Sequence, residues 1–147
     1  MGWTPLLQGK WIGHYRVTWW HLDESDTQAA DDGFAFAMDQ EILDGVIFFF
    51  TYQTQDTNRT QSRQMLTTGF GIDGPLGQVD DFAGMGVAWG DPFNDALTDQ
   101  FVIEIFYRIH ASPTVEITPG IQGIFAPSLN AQDEVIGVFE IRIRISF

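Results

Sequence analysis

The last ten residues, Val138-Phe-Glu-Ile-Arg-Ile-Arg-Ile-Ser-Phe147, alternate without a break. Phe139, Ile141, Ile143, Ile145 and Phe147 fall on one side, and Val138, Glu140, Arg142, Arg144 and Ser146 on the other. A period of two over such a length marks a strand whose two faces meet different surroundings. A helix would spread the isoleucines around its axis. The strand closes the chain with a strong apolar face, so it needs neighbours already in place to receive it.

The same period recurs upstream. From Gly9 the first strand runs to His21, with Trp11, Gly13, Tyr15, Val17, Trp19 and His21 opposite Lys10, His14, Arg16 and Thr18. Gly33–Leu43 sets Phe34, Phe36, Met38, Gln40 and Ile42 against Ala35, Ala37, Asp39 and Glu41. Asp44-Gly45 then makes a tight hairpin turn, because glycine accepts the positive φ such turns need. Val46–Gln55 is rich in Phe on both faces, which leaves its phase open: Ile47 and Phe49 compete with Val46, Phe48 and Phe50. Ser62–Phe70 is more polar. Phe82–Trp89 is short, and its Gly84 and Gly86 imply a bend or a close backbone approach. Phe101–His110 alternates Phe101, Ile103, Ile105, Tyr107 and Ile109 against Val102, Glu104, Phe106, Arg108 and His110. Thr114–Phe125 is interrupted by Pro119-Gly120, which predicts an edge, bulged or split strand. The pattern predicts an all-β chain: eight strands of one antiparallel β-barrel, with residues 1–147 a single domain.

If water surrounds the barrel, the apolar faces point inward. Arg16, Glu104, Arg108, Glu140, Arg142 and Arg144 then all point outward, and the opposite phase would bury them at several kcal/mol per unpaired ion. The polar groups left inside are Tyr15, His21, Gln40, Tyr52 and Tyr107, beside Trp19, Met38, Phe50 and Trp89. Such a lining suits either a small-molecule pocket or a solid core whose hydroxyls reach the barrel ends.

Composition narrows the chemistry. The 147 residues hold no cysteine, which excludes disulfides and thiolate chemistry. A net charge of −13 argues against nucleic acid as partner. Val46–Phe50 is too short for a membrane-spanning helix, and no basic start precedes an apolar run, so a soluble, cytoplasmic protein without a membrane partner is expected. His14, His21 and His110 are scattered. The acidic loops Asp23-Glu-Ser-Asp26 and Asp91-Pro-Phe-Asn-Asp95 lack calcium-loop spacing, so no metal and no cofactor are expected. Asn58-Arg-Thr60 matches a glycosylation acceptor.

Gly9-Lys-Trp11 resembles the Gly-x-Trp of lipocalin-type barrels. The run Gln40-Glu-Ile-Leu-Asp-Gly-Val-Ile47, followed by Asp81-Phe-Ala-Gly-Met-Gly86, resembles the allene oxide cyclase-like and dirigent-like barrels, although Gly74-Pro-Leu-Gly77 stands where those families carry Gly-Gly-Thr-Gly. The resemblance implies a lumen that folds an apolar, polyene-like molecule for ring closure without cofactor. Tyr52, Tyr107 and Gln40 would be the catalytic groups. Tyr15, Trp19, His21, Met38, Phe50 and Trp89 would line the ligand. Three alternatives stand beside this cyclase or isomerase. One is a carrier of a hydrophobic ligand. Another is a coat protein assembling through outward Trp20, Phe49 and Phe106, in keeping with an expected homo-oligomer. The last is an outer-membrane barrel, suggested by the C-terminal Phe and the last strand; the start of the chain and the polar fourth and seventh strands count against it.

Overall fold

Ten strands form one sheet in this computed structural model, which describes residues 2–7, 11–25, 29–57, 62–78, 80–130 and 132–146. Two are short, β1 (Gly2–Trp3) and β2 (Leu6–Leu7). The eight long ones are β3 (Trp11–Leu22), β4 (Asp31–Leu43), β5 (Val46–Gln55), β6 (Ser62–Asp73), β7 (Phe82–Pro92), β8 (Gln100–Ser112), β9 (Val115–Phe125) and β10 (Val135–Ile145). Each of these eight pairs antiparallel with its neighbour in sequence, from β3 through to β10. Every connection is therefore a hairpin. At Asp44-Gly45 the turn is the two-residue kind expected, with Gly45 at φ +70°.

The period-two phases hold through the middle of the long strands. Register shifts fall at Glu41/Leu43, where Leu43 rather than Ile42 meets Val46, and at Ser62/Gln64 and His110/Ser112. The register also decides the phase that was open. Phe48 pairs with Gln40 and Phe70, Phe50 with Met38 and Thr68, and Tyr52 with Phe36 and Leu66. Val46, Phe48, Phe50 and Tyr52 therefore share a face with Tyr15, Val17 and Trp19, with Phe101, Ile103 and Ile105, and with Phe139, Ile141 and Ile143.

Three expectations need correction. The eight-stranded barrel is not closed: β3 and β10 stand at opposite ends of the strand order and do not pair. Part of the β3 edge is taken instead by β1 and β2, with Trp3 opposite Tyr15 and Leu6 opposite Ile12. Next, Pro119 does not place its strand at an edge. β9 runs unbroken between β8 and β10, and the proline leaves a gap only on the β8 side, where no pairing joins Tyr107 and Arg108 to Thr118 and Pro119. A residue without N–H cannot complete that rung.

The third correction is to the inward apolar face. Among the described residues no hydrophobic side chain is buried; Phe139 is 83% exposed and Ile141 74%. The exposed area is 10004 Å², against about 7,600 Å² for a water-soluble monomer of this mass. Along β8, Phe101, Ile103 and Ile105 are exposed while Val102, Glu104, Phe106 and Arg108 are half-buried. Along β8 the polar face is therefore the sheltered side. The alternation thus groups the residues by face as expected, but the face expected inside is the exposed one.

Candidate functional site

The sheltered face is built from the even positions of β8. Its neighbours are set by register: Glu104 lies between Gly86 and Gln122, Phe106 between Gly84 and Gly120, and Arg108 opposite Phe82. Arg16, Arg142 and Arg144 share this face. Most of its charges are paired. His14 Nδ1 lies 2.6 Å from Asp39, His110 Nε2 lies 2.9 Å from Glu116, Arg144 donates to Glu116 at 3.4 Å, and Arg142 donates to Glu140 at 2.8 Å.

Aromatic rings on the same face cover glycines. Gly69 pairs with Gly86 and Gly71 with Gly84, so four residues without side chains meet at the centre of β6 and β7. The Phe49 ring lies over Gly69, 2.6 Å from where a Cβ would stand, and Phe82 and Phe106 occupy the places of Cβ atoms at Gly71 and Gly84. Trp20 does the same at Gly33. The expected assembly aromatics Trp20, Phe49 and Phe106 thus lie down on the polar face. Arg108 sits 5.3 Å above the Phe82 ring, a favourable cation–π distance.

The two ends of the sheet differ. Asp44-Gly45 and residues 113–114 are tight turns at one end, with the longer 74–81 connection beside them. The connections from β3 to β4, β5 to β6, β7 to β8 and β9 to β10 lie at the other end. There Asp31, 2% exposed, accepts from Trp20 Nε1 at 3.3 Å and from the Thr57 backbone N–H and hydroxyl at 2.9 and 2.8 Å. Arg63 donates to Asp95 and lies near Asp91. Asp23, Glu24, Asp56, Asp133 and Glu134 add to an acidic rim. Asp26 and Asn58-Arg-Thr60 lie outside the described residues, as do Gly9, Lys10 and Phe147.

The residues singled out from sequence share the apolar face, but they do not converge. Tyr15 donates to Gln40 at 3.0 Å, and Gln40, 5% exposed, sits where Gly13 lacks a Cβ and donates to the carbonyls of Trp11, Ile12 and Glu41. Met38 and Phe50 are register partners. Tyr52 donates to Gln64 at 3.2 Å, and Tyr107, three strands away, to Asp81 at 2.9 Å. Trp89 donates to Asp99 at 2.9 Å. Trp19 stacks with His21 near the acidic rim, their centroids 6.4 Å apart. On this face the phenols and indoles point their polar tips toward strand ends or cross-strand amides. Sequence reasoning passed over the opposite face, because its glycines and mixed charges have no motif spacing.

A family profile described as "Carbohydrate-selective porin, OprB family" matches residues 14–147. The solved high-pH structure of Pseudomonas putida OprB is similar in fold, with a TM-score of 0.80 at 15% identity over 99% of this chain. The chain spans 47% of that protein. No curated protein matches in sequence. These matches give no support to the allene oxide cyclase-like or dirigent-like resemblance. They overturn the cyclase or isomerase, the carrier of an apolar ligand and the coat protein. A porin is a membrane channel, so the soluble, cytoplasmic protein with no membrane partner is overturned as well. Short hairpin motifs misled because they are generic to antiparallel sheets.

Proposed function

The chain belongs to the OprB family of carbohydrate-selective porins, and on that premise we propose that it forms part of the wall of an outer-membrane pore for sugars. The carrying observation is the two-faced sheet: an unburied apolar face across all eight long strands, backed by a sheltered face of paired charges, amides and glycines. Lipid takes the apolar face and water the polar one, the alternation of transmembrane barrels. Strands of 10 to 13 residues are long enough to cross a bilayer at a tilt of about 45°.

Trp19, Tyr52, Trp89 and Tyr107 are then anchors at the membrane interfaces, with apolar rings in lipid and polar tips in the headgroup layer. The tight turns face the periplasm and the longer acidic loops face outward. Eight long strands in 47% of a porin chain extrapolate to about 17 strands. An even-stranded barrel would have 16 or 18, wide enough for an aqueous channel. Closure in this proposal comes from further strands beyond β3 and β10, rather than from joining those two. An acidic mouth disfavours anions, and a wall of mixed charge and amides offers hydrogen bonds to a neutral polyhydroxylated solute.

The test is to reconstitute the closed barrel, this chain together with the strands that join β3 to β10, in phospholipid vesicles and measure swelling in isotonic glucose. Swelling above that of protein-free vesicles is expected, with conductance steps in a planar bilayer. Neither swelling nor conductance would overturn the pore.

A further inference from the structure

On the polar face a cleft of about 100 Å³ opens between Phe49 and Phe106, with Gly86, Ala88, Thr67, Val102 and Glu104 around it. Its aromatic walls are fixed, because both rings rest on glycines: Phe49 against Gly69 and Gly86, Phe106 against Gly84. Any side chain at those glycines would lift the rings. Glu104 differs from its neighbours on the wall. Asp39 is paired with His14, Glu116 with His110 and Arg144, and Glu140 with Arg142, whereas Glu104, half-buried, has neither an ion pair nor a side-chain hydrogen bond among the described residues. Thr67 likewise keeps its hydroxyl for a ligand among these residues.

A half-buried carboxylate without a partner, beside immobile aromatic surface, asks for a ligand that donates hydrogen bonds and also presents an apolar plane. A pyranose does both: its ring C–H groups form an apolar face and its hydroxyls donate around the rim. We propose that the Phe49–Phe106 cleft is a docking subsite for one pyranose ring in transit, stacked on the phenyl rings and hydrogen-bonded to Glu104 and Thr67. The proposal rests on the polar face being the wall of a sugar pore.

Saturation-transfer NMR on the chain folded in detergent micelles tests it, with methyl β-D-glucopyranoside as the probe and mannitol, an open-chain polyol, as the control. The glucoside's ring protons should receive saturation and mannitol's should not. Phe106→Ala and Glu104→Gln should each weaken glucoside binding by about tenfold or more, a change worth roughly 1.4 kcal/mol. Phe106→Leu, which fills the space without a flat ring, guards against misfolding: it should keep the parent's β-sheet circular dichroism and unfolding midpoint in micelles yet lose the saturation signal. Equal transfer to mannitol, displacement of the glucoside by choline, or parental binding in Phe106→Leu and Glu104→Gln would each overturn the subsite. A conducting pore with any of those results would leave the channel standing, while absence of conductance would strike the channel itself.

Discussion

In the proposed pore adjacent residues on β8 face opposite solvents, and a pair of substitutions measures the difference. Ile103 is exposed on the apolar face and Val102 half-buried on the polar one. Ile103→Arg places a guanidinium in lipid and should cost about 2–4 kcal/mol near mid-membrane. Val102→Arg reaches water and should cost much less. Urea unfolding in phospholipid vesicles, followed by tryptophan emission, reads both, and a reversed order would contradict the assignment. Asp31 gives a second residue-scale prediction. It gathers the Trp20 indole and both donors of Thr57, so Asp31→Ala strands buried donors and should destabilise the fold by about 1–3 kcal/mol. An unchanged unfolding midpoint would show that the rim does not depend on it.

At the scale of elements, β9 is the weak rung. Pro119 has no N–H, and the β8–β9 pairing lapses beside it at Tyr107 and Arg108. Pro119→Val supplies the donor and should raise stability by about 0.5–1.5 kcal/mol; a lowered midpoint would mean the gap is needed by the fold. These elements were largely legible in the sequence. The phases of Phe101–Tyr107 and Phe139–Ile145 follow from side chains alternating across a strand, and Asp44-Gly45 from the positive φ of its turn. The orientation was not legible, because alternation states that two faces differ and does not say which solvent each meets. Placing Arg142 and Arg144 outward was sound for water outside and wrong for lipid outside. The polar-face cleft escaped notice for a different reason: Phe49 and Phe106 are brought over Gly69 and Gly84 by cross-strand register, which alternation within one strand does not reveal.

The whole molecule has an exposed apolar face, no hydrophobic core among the described residues, and two sheet edges that do not meet. In water such a surface associates. The chain should therefore stay dispersed and β-rich only in detergent or lipid; a clean folded monomer in plain buffer would contradict a lipid-facing surface. The most direct test uses the absence of cysteine. Single cysteines placed at 101 through 108 in β8, with the chain folded into vesicles, are challenged with a charged, water-soluble maleimide. Positions 102, 104, 106 and 108 should react while 101, 103, 105 and 107 stay protected, and a fluorophore at those odd positions should be quenched by a lipid-borne quencher. Reaction at the odd positions with protection at the even ones, or no alternation at all, would contradict a sheet with water on its polar face and lipid on its apolar one.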